Sequence, residues 1–185
     1  MTKKIIAFGA TNSRKSINKK LASYAANLIK NAEVIVLDLN DFEMPIYSPD
    51  RQEEEGIPEK AKLFKKYMVE ADGIIISFAE YNGSYTAAFK NIMDWISVLG
   101  RDMWGKSPML LMATSPGPRG AVVVLEAAVS RFKYVGKNPI FSFSLPSFDK
   151  NFVDGHGIVN KGLFAEFNEQ LELFVKELSP VQAEV

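Results

Sequence analysis

Apolar and polar positions alternate in blocks along the chain. The run "KIIAFGA", residues 4–10, is short, apolar and followed by a polar loop. From Ser16 to Asn31 the positions Ile17, Leu21, Tyr24, Ala25, Leu28 and Ile29 recur at three- and four-residue steps, the stripe of one helix face. The pair predicts strand, loop, helix. "EVIVLDL" (33–39) reads as a second strand, "PEKAKLFKKYMVEA" (58–71) as a helix opening with Pro58, and "DGIIISFA" (72–79) as a third strand, apolar almost throughout. A strand buried on both faces has that pattern. Phe89, Ile92, Trp95, Ile96 and Leu99 predict a helix from about Ser84. "SPMLLMATS", "GAVVVLEAAVSRFKYVG", "NPIFSFSL" and a helix over 161–178 complete the series.

Five strands thus alternate with five helices. Parallel neighbours need crossover connections, so the pattern predicts a doubly wound α/β fold, a parallel sheet with helices on both faces. In such sheets ligands lie beyond the carboxyl ends of the strands, which directs attention to the loops after strands one, three and four. The connection over 40–57, "NDFEMPIYSPDRQEEEGI", is too long for a simple turn. It reads either as a flap or subunit contact or as a solvated excursion.

Composition narrows the classes. The 185 residues, 47% hydrophobic, suit one domain with a substantial core. The 22 basic and 22 acidic residues cancel, which argues against a nucleic-acid partner. With no cysteine there is no disulfide, thiol redox chemistry or thiolate metal site, so redox work would need a cofactor. The apolar run near the N-terminus is too short for a signal peptide or membrane span, and the expectation is a cytoplasmic protein without a membrane partner.

The first loop, "GATNSRKSIN", offers the hydroxyls of Thr11, Ser13 and Ser16, the cations Arg14 and Lys15, and Asn18 in the first helical turn. A phosphate at a helix N-terminus meets free N–H groups and the positive end of the dipole. Ser16 alone could be only an N-cap. The loop has neither the triphosphate nor the dinucleotide glycine spacing, which favours a monophosphate. In the second loop, "AEYNGSY", Asn82 and Gly83 can take positive φ, with Tyr81 and Tyr85 on either side. The plain alternative is a strand-ending turn with Tyr85 in the core. The third, "TSPGPRGA", is stiffened by two prolines and opened by Gly117 and Gly120, or is simply a helix start.

"GATNSRKSIN", "EYNGSYTAAFKNIMDWIS" and "SPGPRGA", in this order, resemble the NADPH-dependent FMN reductase family of flavodoxin-like proteins, which includes quinone, azo and chromate reductases. The resemblance covers nearly the whole chain and implies a single flavodoxin-like domain over 1–185 with a five-stranded parallel sheet. Ala79 stands where the family commonly has proline, and the first loop is spaced slightly differently from the family's. By this resemblance Ser13, Arg14, Ser16, Ile17 and Asn18 would hold the FMN phosphate. Glu80, Tyr81, Asn82 and Gly83 would edge the flavin ring, and Ser115 with Gly117 to Gly120 would face its pyrimidine side.

The resemblance also implies NADPH or NADH as donor, a small-molecule acceptor and ping-pong transfer. The alternatives are a flavodoxin-type electron carrier, disfavoured by the balanced charge, and a non-catalytic flavin-binding module. No acid or base side chain is needed, so no catalytic residue is assigned and no metal is expected. The aromatic and methionine-rich "MDWISVLGRDMW" (93–104) and the resemblance suggest a homodimer or homotetramer with the flavin near a subunit boundary, although Trp95 and Trp104 also suit the core. His156 reads as a surface-loop residue, Glu53 to Glu55 as a solvated face, and Glu80 with Asp94 as no hydrolytic pair.

Overall fold

Hydrophobic alternation within β1 (Lys3–Ala10) decides how the molecule is layered. Ile5 and Ala7 pack on one side of the sheet, Ile6 and Phe8 on the other, all completely buried. The computed structural model describes residues 2–100 and 102–178. Its main sheet runs β2-β1-β3-β4-β5, all parallel, with β2 at Ala32–Val36, β3 at Gly73–Phe78, β4 at Met109–Thr114 and β5 at Ile140–Leu145. β3 and β4 are buried at every position, as central strands covered on both faces must be.

Helices α1 (Ile17–Asn27) and α7 (Lys161–Glu177) cover the Ile5 face through Leu21, Ala25, Phe167 and Phe174. Helices α3 (Glu59–Glu70), α4 (Ala87–Ser97) and α5 (Val122–Val135) cover the other through Phe64, Phe89, Trp95 and Phe132. Between them lie a short α2 (Pro49–Glu55), a one-turn α6 (Phe148–Asn151) and a hairpin of β6 (Phe152–Val153) and β7 (Gly157–Ile158). The doubly wound fold is as expected, but the described residues hold seven α-helices rather than five. The two extra ones are short, and α2 buries nothing, so neither produces an apolar stripe.

The first half of the 40–57 connection is not simply a solvated excursion. Leu39 and Phe42, in a 3-10 turn, and Met44 enter the core against α3 and α4. Trp95 Nε1 donates to Pro45 O at 2.7 Å, and Asn91 Nδ2 donates to Met44 O at 3.0 Å. The second half, α2 with its glutamates, buries nothing.

The stretch 93–104 is also spent inside the chain. Trp95 is fully buried, and Trp104 stacks on Phe132 with ring centroids 4.7 Å apart. Arg101 lies outside the described residues. The side chains that suggested a subunit boundary are therefore core. No described helix is long and apolar enough to cross a membrane.

Candidate functional site

At the carboxyl end of the sheet the exits of β1, β3 and β4 are tied to one another by side chains. Thr86, the N-cap of α4, accepts from Phe89 N at 3.2 Å and donates to Ala10 O at 2.9 Å, joining the second loop to the end of β1. Asn18 joins the first helix to β4: its Nδ2 donates to Thr114 O at 3.0 Å, and its Oδ1 accepts from Thr114 N at 3.0 Å and Ser77 Oγ at 2.7 Å. Glu80 joins the second loop to the third by accepting from Val124 N through Oε2 at 3.1 Å. Each pair of loops thus has its own cross-link.

The three loops enclose a cleft of about 270 Å³. Ser13, Ser16, Ile17 and Asn18 line it from the first loop, Glu80 and Tyr81 from the second, and Ser115 from the third. Ser16 is both things the sequence allowed. Its Oγ accepts from Lys19 N at 3.0 Å as a helix cap, which leaves the hydroxyl proton free to donate. The N–H groups of Ile17 and Asn18 belong to the first turn of α1, where no preceding carbonyl can reach them, and no acceptor among the described residues does.

Several nominated residues lie elsewhere. Arg14 does not line the cleft but an adjoining groove of about 580 Å³ between α1 and the β6–β7 hairpin, which shares Lys15 and Ser16 with it. Asn18 lines the cleft, but its Oδ1 and one Nδ2 proton are spent on Ser77 and Thr114, so its backbone N–H and the second amide proton are what it has left for a ligand. Asn82 and Gly83 do not line the cleft. They form the exposed tip of a tight turn with φ of 53° and 74°, closed by reciprocal backbone bonds between Tyr81 and Ser84. The positive φ anticipated for this pair is present. The turn also delays α4, which starts at Ala87 rather than about Ser84.

In the third loop, Gly117 turns its carbonyl to Ser147 N at 2.9 Å. Gly120, with φ 58°, is pressed against β5, where a Cβ would stand 2.9 Å from Pro146 N. Both glycines shape the loop rather than line the cleft. Tyr85 packs inward on Phe78 and Phe89, leaving Tyr81 as the exposed tyrosine; burial pushes the Tyr85 phenol upward, partly offset by the Arg131 charge. His156 is exposed in the β6–β7 turn, as expected.

The cleft also includes Thr11, Lys15, Ala79, Thr114 and Pro116, to which the family resemblance gave no cofactor contact. Thr11 and Lys15 stand out in the sequence as a hydroxyl and a cation; nothing local marks the other three. Lys19 is paired with Asp38 and Lys20 with Asp154, so Arg14 and Lys15 are the uncommitted cations of this loop among the described residues. Free helix N–H groups, a hydroxyl proton and a nearby lysine suit a phosphate monoester, and the adjoining space between Tyr81 and Ser115 suits the edge of a flat ring.

The family model for NADPH-dependent FMN reductases matches residues 3–156, a span that includes all three loops. The chain belongs to this family. It is 34% identical over 125 residues to a 2-hydroxy-1,4-benzoquinone reductase of a Burkholderia species, with 66% of each chain aligned. To a quinone reductase of Escherichia coli it is 35% identical over 78 residues, 42% of each, so the chain spans less than two thirds of these relatives. An NADH-dependent flavin reductase subunit of Lactobacillus johnsonii matches at 27% over 160 residues, 80% of this chain and 84% of the relative. Among solved structures, the flavoenzyme NAD(P)H:(acceptor) oxidoreductase FerB of Paracoccus denitrificans shares the fold with a TM-score of 0.75 at 22% identity, over 95% of this chain and 97% of its own.

Proposed function

We propose that the protein is an FMN-dependent NAD(P)H oxidoreductase delivering electrons to a small-molecule acceptor such as a quinone, a free flavin, an azo compound or a metal oxyanion. The observation that carries this reading is the meeting of three strand-exit loops in one cleft that begins at the unspent N–H groups of α1. FMN supplies a reversible two-electron carrier when bound. The chain supplies binding and orientation. Ile17 and Asn18 N–H, the Ser16 hydroxyl and Ser13 hold the phosphate, with Lys15 adding charge from its exposed position. Glu80, Tyr81 and Ser115 edge the ring. Asn82 and Gly83 keep the neighbouring backbone in the tight turn that presents Tyr81.

Donor and acceptor use the same open side of the cleft in succession, which implies ping-pong kinetics. The quinone and flavin reductase names of the relatives support the acceptor class; the choice between NADPH and NADH stays with the assay below. The assembly in this reading is a cytoplasmic homodimer or homotetramer. Support comes from Ile46, 80% exposed above a small depression reaching Asn12 of the first loop, an apolar side chain that a second copy would cover.

The test is direct. Purified protein is examined for a flavin spectrum, the flavin is released and identified by chromatography, and initial rates are measured with NADPH or NADH against a quinone at several concentrations of each. Parallel double-reciprocal lines are expected. FMN-loaded protein that oxidises neither nucleotide would assign the chain instead to the electron carriers or to non-catalytic flavin-binding modules.

A further inference from the structure

Helix α5 begins unusually. Gly120 and Ala121 are both left-handed, with φ of 58° and 59°, and no side chain within the segment caps the helix. The acceptor for its third N–H, that of Val124, comes from Glu80, 44 residues away on the second loop. A neutral oxygen would satisfy that N–H equally well, as serine, threonine and asparagine do at other helix starts in this chain. The sequence instead supplies a carboxylate, and that carboxylate belongs to a residue lining the cleft beside Tyr81 and Ser115.

We infer that Glu80 sets the reduction potential of the flavin, holding it lower than a neutral cap would. The inference rests on the functional reading above, in which the ring occupies this cleft. Hydride from the reduced nicotinamide carries two electrons and one proton. Its addition leaves the ring system with one more negative charge, and the nicotinamide departs oxidised. Two effects of Glu80 oppose that gain, and both have the same sign. Its own charge repels the added one across a partly desolvated cleft, where Coulomb interactions are screened less than in bulk water. It also occupies the positive end of α5, whose dipole could otherwise help to stabilise a reduced ring. A lower potential favours the onward half of the reaction, delivery of the electron pair to the acceptor.

The substitution Glu80→Gln separates charge from capping, because the amide oxygen can still accept from Val124 N. Midpoint potentials are measured on FMN-loaded protein by anaerobic reductive titration against a reference dye, with thermal unfolding alongside. The expected result is an unchanged unfolding midpoint and a reduction equilibrium shifted about tenfold toward the reduced flavin, about 30 mV upward for a two-electron couple. Glu80→Asp, which keeps the charge, should remain near the parent potential. If Glu80→Gln fails to fold, Glu80→Ser provides the neutral comparison and should show the same upward shift. A neutral variant that folds, holds FMN and keeps the parent potential overturns the inference while leaving the oxidoreductase reading intact. A parent protein that binds no FMN overturns the oxidoreductase reading, and this inference with it.

Discussion

Asn18 and Thr114, 96 residues apart in sequence, exchange two hydrogen bonds of 3.0 Å each, one in each direction, between a side-chain amide and a backbone peptide group. Asn18 thereby does for the top of β4 what a neighbouring strand would do, while its Oδ1 also receives Ser77 Oγ. All three residues are at most 3% exposed. This buried polar cluster holds the phosphate end of the cleft in register with its Ser115 side.

Replacing Asn18 by Ala leaves Thr114 N–H, Thr114 C=O and the Ser77 hydroxyl without their side-chain partner. Each buried group left unpaired costs about 1–3 kcal/mol, so a loss of about 3 kcal/mol or more is expected. Urea unfolding measures it; a loss under about 1 kcal/mol would mean the cluster is not the staple described.

Ser16→Ala should lower stability by about 1 kcal/mol through loss of the cap. Loss of a hydroxyl donor to a charged phosphate should also weaken FMN by about 1.5–3 kcal/mol. Arg14→Ala is the contrast: a solvated cation outside the cleft is worth at most about 1 kcal/mol, so FMN affinity should fall less than about fivefold. Fluorescence titration of FMN into both variants ranks them, and equal losses would return Arg14 to the phosphate site.

Two glycines with positive φ should respond differently to the same change. At Gly83 no atom lies within 4 Å of an added Cβ, so Gly83→Ala should cost only the left-handed strain of about 1–2 kcal/mol. At Gly120 the methyl would also press into Pro146 N at 2.9 Å and Leu145 C at 3.0 Å, both backbone, and Gly120→Ala should be the more damaging. Thermal unfolding of the pair decides the order.

Asp38 links α1 to the end of β2. Its hydrogen bond from Lys19 at 2.6 Å, then that from Asn40 N–H, lower its carboxyl from 3.8 to about 2, with burial pulling the other way. A depressed carboxyl contributes stability that is complete above the unfolded value and is lost as pH falls through the folded one. Unfolding midpoints should therefore drop between pH 3.8 and about 2, and Asp38→Asn should flatten that limb. Some slope will persist from Asp72, lowered chiefly by Lys4 N–H. A variant with the full parental slope would locate the acid sensitivity elsewhere.

The order of the five sheet strands and the five longer helices was already determined by local periodicity, because an amphipathic stripe or a doubly buried strand is written within about ten consecutive residues, whereas α2, α6 and the β6–β7 hairpin are too short to leave one. So were the three loops and the positive φ of Asn82 and Gly83, since few residue types tolerate that backbone. What each side chain does at the site was decided by tertiary structure. Glu80 caps a helix 44 residues away, Asn18 bridges 96 residues to Thr114, and Pro45 O receives Trp95 Nε1 from 50. Such partners meet only after β1 has inserted between β2 and β3 and the crossovers have placed their loops at one sheet edge, a long-range arrangement that no local pattern encodes. Arg14 illustrates the limit: sequence placed it in the right loop, but it faces only the neighbouring groove, whereas Ser16, two residues on at the start of α1, borders both that groove and the cleft.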